Sequence, residues 1–323
     1  MTLRLGLIGA GWIARLHLEA LARLGRTELV GIVSGTGAGA AALSARWGGR
    51  VYPDLDRMLD DARLDLAYVC VPPFRAVPIG ARLAERAIPF LTEKPLAADD
   101  GDGPARLATA IERAGLVVGV GYHLRALDIL PQVRERLASR PPALIVAQWL
   151  DRTPNPAWWH RTAQGGGQVI EQATHLFDLA RLLLGEASVV GAASLRGSAA
   201  PSDSADVADA TAATLRFASG AVGVFACTRV IPAGVISVEF ASDGLLTVLT
   251  KGERSQGDWH AVLDDGETRT EMHAEGDPYQ IQAAAFLDAV EGGDPDSVLS
   301  SYADALRTDR LTRAVVAATG APG

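Results

Sequence analysis

Residues 3–14 read Leu3-Arg4-Leu5-Gly6-Leu7-Ile8-Gly9-Ala10-Gly11-Trp12-Ile13-Ala14. A short apolar run enters a turn with glycines at 9 and 11 and a small residue at 14, and a helix-like stretch continues to Leu24. In a strand–turn–helix of this kind the first Gly permits the tight turn. The second lets the backbone approach a pyrophosphate, and the small third residue lets helix pack on strand. The phosphates then rest on the amides of the helix N-terminus. The stretch predicts a dinucleotide site at Gly9, Gly11, Trp12 and Ile13; the alternative is a tight βα turn without a ligand.

The pattern around this turn repeats. Apolar runs at 28–34, 66–71, 89–91 and 117–120 alternate with helical stretches at 38–47, 55–61, 76–87 and 104–114. Strand, helix, strand at this spacing predicts βαβ units and a parallel sheet, and the continuous apolar runs suit strands covered on both faces. Near Gly121 the pattern changes. A helix is expected at 127–138 and a strand at 143–150, then a long Pro/Trp/Gly-rich loop at 151–168. A helix at 169–184 ends on Gly185. Strands follow at 188–195, 210–217, 221–229, 235–241 and 244–249, and two helices at 279–290 and 302–318 close the chain. A run of strands without helices reads as an antiparallel sheet. The expectation is an α/β domain over 1–122 and an α+β domain over 123–323.

The bulk numbers agree with two globular domains. The chain has 323 residues, 48% hydrophobic and 21% charged, with a formal net charge of −8. That charge argues against nucleic acid or an anionic membrane as the main partner. No apolar stretch is long enough to span a bilayer and no signal peptide is evident, so the expected address is cytoplasmic. Cys70 and Cys227 lie far apart in apolar runs, which suits reduced core thiols and not a zinc site.

The end of the second strand bears on cofactor choice. A carboxylate there would bind the ribose diol of NAD. This chain has Ser34-Gly35-Thr36 and no acid until Asp54. Ser34 and Thr36 can donate to a 2′-phosphate, and Arg15 and Arg46 are candidate charge partners. NADP is therefore the preferred expectation, with NAD the alternative.

Two further motifs carry chemistry. Thr92-Glu93-Lys94-Pro95 puts a Lys at the carboxyl end of a strand, where ligands of open α/β sheets bind. Its ammonium can stabilise negative charge developing on a substrate oxygen. Residues 165–178 read Gly-Gly-Gly-Gln-Val-Ile-Glu-Gln-Ala-Thr-His-Leu-Phe-Asp. Glu171 and His175 stand four apart, which on one helix places them on one face. A carboxylate beside an imidazole tunes it as a proton carrier. A third ligand for a metal is not apparent, so no metal is expected.

Taken together, these motifs resemble the glucose–fructose oxidoreductase / inositol dehydrogenase (Gfo/Idh/MocA) family. The resemblance rests on the GAGWIA turn with His17 after it, Glu93-Lys94-Pro95, Gly121-Tyr122 at the domain crossing, and GGGQVIEQATHLFD. It implies a Rossmann domain followed by an α+β domain with an open, mostly antiparallel sheet that often forms the oligomer interface. By motif position it makes Lys94 and His175 catalytic, with Glu171 orienting His175 or sharing its proton. It places Val71, Pro72, Glu93 and Lys94 beside the cofactor. Tyr122, Trp158, Trp159, Arg161 and Gln172 are the expected substrate contacts. Glu171 stands where the family usually has Asp, and Ala76 where a His is frequent.

The activity this implies is hydride transfer between NAD(P) and a secondary hydroxyl or ketone of a sugar, cyclitol or polyol, in a homodimer or homotetramer. One alternative is hydrolysis or epimerisation through transient oxidation by a tightly held cofactor. Stoichiometric consumption of free cofactor separates the two. Another is a cofactor-sensing regulator, which would be expected to lack the Lys and His.

Overall fold

The computed structural model describes residues 2–98, 101–197, 205–252 and 257–320. They form two compact units. The first comprises Met1–Ala126 and Tyr279–Leu306, the second Leu127–Pro278 and Arg307–Gly323.

The first unit is built from β1 (Leu3–Ile8), α1 (Trp12–Leu24), β2 (Thr27–Val33), α2 (Gly37–Trp47), β3 (Arg50–Tyr52), α3 (Leu55–Asp61), β4 (Leu66–Val69), α4 (Ala76–Glu85), β5 (Phe90–Thr92), α5 (Gly103–Ala114) and β6 (Val118–Val120). Its sheet has six strands in the order β3-β2-β1-β4-β5-β6, and every adjacent pair is parallel. The order reverses between β1 and β4, which opens a crevice at the carboxyl edge where doubly wound sheets take their ligands. The strands are largely apolar because a cluster packs on each face. One cluster includes Ile8, Val69, Phe90 and Tyr122; the other includes Leu7, Leu18, Tyr68 and Phe286. The short β3 was not foreseen, since three residues are too few to show a period.

Phe286 belongs to the helix Pro278–Gly292, expected in the second domain. It packs instead in a cluster of the first sheet with Ala283, Leu287 and Ala289. Arg26 reinforces it with ion pairs to Asp288 at 2.7 Å and Glu291 at 2.6 Å. The expected boundary at 122/123 is thereby corrected: the first unit is discontinuous in sequence. Hydrophobic periodicity shows that a helix has an apolar face but not which sheet that face will meet. The last helix, Tyr302–Ala318, starts in the first unit and ends in the second.

The second unit contains α6 (Leu130–Ser139), β7 (Pro142–Arg152), α7 (Thr162–Gly165), α8 (Gln168–Glu171), α9 (Thr174–Leu184), β8 (Ala187–Leu195), β9 (Ala210–Phe217), β10 (Val222–Thr228), β11 (Val230–Ser242), β12 (Leu245–Lys251), β13 (Trp259–Asp264) and β14 (Arg269–His273). Its eight-stranded sheet runs β14-β13-β12-β11-β7-β10-β9-β8. All pairs are antiparallel except the central β10–β7 pair. Strands β13 and β14 were not foreseen.

The two faces of this sheet differ. Ile145, Ala147, Ala213, Phe225 and Val238 are buried, and Phe225 stacks on Phe177 of α9 at 4.5 Å. On the other face Leu144, Val146, Val224 and Leu246 remain exposed.

Candidate active site

In the first unit the glycine turn forms as its residue types require. Gly9 has φ +105, and a Cβ there would lie 2.1 Å from the Cys70 carbonyl oxygen. No L side chain fits that position. Gly11 is the N-cap of α1, and a Cβ on it would meet nothing within 4 Å. The space before the helix is open there. No side chain caps α1, and its first turn carries no acid, so its first amides face that space. Ala14 is wholly buried against the sheet. An uncapped helix N-terminus behind a glycine that leaves room for a ligand fits a dinucleotide pyrophosphate.

At the end of β2, Ser34 Oγ accepts from the Thr36 amide at 3.2 Å and lies 3.2 Å from Thr36 Oγ1. Arg15 and Arg46 both reach Glu19 Oε1, at 3.5 and 3.3 Å, and the Arg46 guanidinium also lies 4.1 Å from the centre of the Trp47 ring. The two candidate phosphate partners thus share one half-buried carboxylate. Val71 and Pro72 follow β4 and are half-buried.

Lys94 follows β5, half-buried, on the same carboxyl edge as the glycine turn. Glu93 was expected at the cofactor, but its carboxylate turns inward. Oε1 lies 2.8 Å from Nε2 of His17 on α1, and Oε2 accepts from the Lys94 amide at 3.1 Å. Burial pushes the Glu93 carboxyl up, but the His17 hydrogen bond and the charges of His17, Lys94 and His123 prevail and hold it below the usual carboxylate range. His123 stacks on Tyr279 at 5.0 Å. Burial lowers its pKa to about 4, against the opposing pull of Glu93. Tyr122, expected at the substrate, is 1% exposed within the core cluster that holds Tyr302. Its ring packs in the first unit's core.

In the second unit Glu171 and His175 are both buried, but they do not share one helix. α8 ends at Glu171 and α9 begins at Thr174. The amides of Gln172 and Ala173 both bond the Gln168 carbonyl, and the ladder then tightens, with His175 bonding the Gln172 carbonyl at 3.4 Å. The expected continuous helix 169–184 is corrected, and the simple four-residue spacing rule does not apply across the break. Two side chains tie this break to the sheet. Gln168 Nε2 donates to the Thr228 carbonyl at 2.6 Å, and Gln172 Nε2 to the Arg152 carbonyl at 3.5 Å. Gln172 therefore spends its amide nitrogen on the sheet. His175 stacks on Trp149 of β7, centroids 5.8 Å apart.

Trp158 and Trp159 stack on each other at 4.7 Å and are half-buried, while Arg161 is exposed. Asp206 clasps their loop: its Oδ1 accepts from the Thr162 amide at 2.5 Å, and its own amide donates to the His160 carbonyl at 3.0 Å. Nearby, the buried pair Arg229–Asp209 closes at 2.6 Å. Sequence reading missed Trp149, which only the tertiary fold brings to His175, Asp206, which it brings to His160 and Thr162, and the buried pair Arg229–Asp209. Among the described residues no group of three or more His, Cys, Asp and Glu side chains could hold a metal ion.

Residues 3–122 match the oxidoreductase family with the NAD-binding Rossmann fold, and residues 142–245 match the GFO/IDH/MocA C-terminal domain. The chain is 28% identical to the rhizopine catabolism protein MocA of Rhizobium meliloti over 57% of this chain, and the match spans only 57% of that protein's length. It is 25% identical to an inositol 2-dehydrogenase of Rhizobium meliloti, covering 91% of this chain and 90% of the relative. A 3-ketoreductase from Actinomadura kijaniata, solved with NADP and TDP-benzene, superposes with TM-score 0.87 over 98% of both chains at 20% identity, which speaks to fold alone. With residues 3–122 and 142–245 both matched, the chain belongs to the Gfo/Idh/MocA oxidoreductase family.

Proposed function

We propose that the protein transfers a hydride between a nicotinamide cofactor, NADP by preference, and a secondary hydroxyl or ketone of a sugar, cyclitol or polyol. The observation that carries this reading lies in the first unit. The open glycine turn at β1 and Lys94 after β5 share one carboxyl edge, two strands apart, across the crevice where the strand order reverses. The nicotinamide accepts or supplies the hydride. The amides of α1 hold the pyrophosphate, and Ser34 and Thr36 donate to the 2′-phosphate. Lys94 donates to the substrate oxygen as negative charge develops on it. His175 takes the hydroxyl proton or returns it, and Glu171 biases that imidazole. Trp158 and Trp159 present an apolar face to a sugar ring, with Arg161 at its rim.

The test starts with a screen of polyols and sugars against NADP and NAD. Lys94→Ala should keep cofactor binding and lose on the order of 10²–10³ in turnover. His175→Ala should lose roughly 10²–10⁴. Normal turnover by Lys94→Ala would sink the assignment. The chain has only two lysines, Lys94 and Lys251, so trinitrobenzenesulfonate labelling read by mass spectrometry resolves them. NADPH should protect Lys94 and leave Lys251 unprotected.

The same proposal includes assembly. Val146 stands between Val224 and Glu239 on neighbouring strands, in an exposed row that also holds Leu144 and Leu246. An apolar face of this kind on a sheet suits burial against a second copy. Light scattering should give a dimer or tetramer, and Val146→Lys should weaken it. A wild-type monomer at micromolar concentration would end this part of the reading.

A further inference from the structure

The pair His17–Glu93 is the most deeply buried ionisable contact beside Lys94, and the proposed reaction gives it no task. His17 is 1% exposed and Glu93 9%. His17 is boxed edge-on between Tyr68 at 5.1 Å and Tyr279 at 5.3 Å, and its Nδ1 is buried with no hydrogen-bond partner among the described residues. Its useful nitrogen is therefore Nε2, which donates to Glu93 Oε1. The other carboxylate oxygen takes the Lys94 amide. A third constraint comes from the residue after β6. A Cβ on Gly121 would lie 2.7–2.8 Å from the Glu93 carboxylate atoms, so the carboxylate lies flat against a bare Cα. The backbone on each side is pinned as well. The Glu93 amide donates to the Val69 carbonyl at 2.9 Å, and the Gly121 amide to the Thr92 carbonyl at 2.9 Å.

Burying a carboxylate is costly unless it is paired. A turn that needed only shape could use an apolar residue at this position. We infer that Glu93 and His17 are positioning residues for Lys94. The carboxylate, seated on Gly121 and locked by His17, fixes the Lys94 backbone and so the direction in which its side chain leaves β5. This rests on the reading of Lys94 as a catalytic group. It adds a requirement in α1, far from the turn in sequence, for how that group is aimed.

The test uses the two-lysine composition. Apo protein is labelled with trinitrobenzenesulfonate, with Lys251 as internal standard. Glu93→Gln, His17→Leu and Gly121→Ala remove the charge, the donor and the seat in turn. Each should raise the Lys94:Lys251 labelling ratio at least threefold, because Lys94 loses its fixed geometry and, in Glu93→Gln, also the carboxylate charge near it. His17→Gln, whose amide can donate to the same oxygen, should stay within twofold of wild type. Met58→Ala, a core truncation in α3, serves as a control for general loosening and should leave the ratio unchanged although it lowers Tm. With an active substrate, the three disruptive variants should lose about tenfold or more in kcat while the cofactor KM changes less than twofold. An unchanged ratio in Glu93→Gln and His17→Leu overturns the inference. So does His17→Gln behaving like His17→Leu, or Met58→Ala raising the ratio equally. A normal Lys94→Ala enzyme would overturn the catalytic reading instead, and the labelling ratios would still decide whether Glu93 and His17 position the lysine.

Discussion

The segments Leu3–Leu24 and Gly165–Leu184 both pass through glycines into a helix, and they fold by different rules. In the first, every constraint is local or comes from a neighbouring strand. Gly9 must adopt positive φ under the Cys70 carbonyl, Gly11 leaves space, and Ala14 packs. In the second, the helix that the hydrophobic pattern demands is broken at Gln172–Ala173. Gln168 and Gln172 each bond a carbonyl of the sheet instead of facing solvent. A backbone motif set by glycine geometry survives any tertiary context. A helix segment whose polar side chains are buried must satisfy them, and here that requirement outweighs helix continuity.

The sharpest way to break this contrast is Gly9→Ala. Positive φ and a carbonyl 2.1 Å from the new Cβ should cost on the order of 3 kcal/mol or more and abolish dinucleotide binding. Denaturant unfolding and cofactor titration would check it. A variant that binds NADPH normally would show that the first segment is not under local control.

A second effect separates the buried groups of the first unit by pH. His123 titrates near 4 when folded and near 6.5 when unfolded. Between those values the unfolded chain binds the extra proton, so stability present above pH 6.5 is lost as the pH falls towards 4. Glu93 is lowered, so its contribution is present above its unfolded value of 4.5 and is lost only below it. Tm should fall from pH 7 to 4.5, and His123→Gln should flatten that slope. Identical slopes in both proteins would remove His123 as the cause.

Gln168→Ala probes the second segment. Losing the donor to the part-buried Thr228 carbonyl should cost about 0.5–1.5 kcal/mol. Hydrogen exchange should report stronger protection of the Gln172 and Ala173 amides if the helix becomes continuous. Unchanged stability would mean that the break is local after all.

The smallest expected effect on the fold comes from Gly35→Asp. A Cβ there meets nothing within 4 Å, so the Asp fits, repels a 2′-phosphate and accepts from a ribose diol. The NADP:NAD preference should shift by about tenfold, or ~1.4 kcal/mol, in fluorescence titrations. Tighter wild-type binding of NADH than NADPH would overturn the role given to Ser34 and Thr36.

Much of the first sheet was legible. β1 and α3 fall where periodicity put them, because parallel strands covered on both faces are continuous apolar runs and helices show an amphipathic repeat. Lys94 after a strand was legible for the same reason. The burial of Tyr122 was not legible, because a motif position does not say which way a ring points. The inward turn of Glu93 was hidden because His17 lies 76 residues before it and Gly121 lies on another strand end after it. Residue identity and spacing determined the glycine turn, the alternation of strands and helices, and the presence of a Lys and a His suited to proton and charge transfer. Only the tertiary structure decided that residues 279–306 complete the first unit, that the helix before His175 breaks, and that Glu93 faces His17. Those outcomes depend on which surfaces and buried polar groups meet across long sequence separations. A local pattern can require a partner for each of them, but it cannot name one.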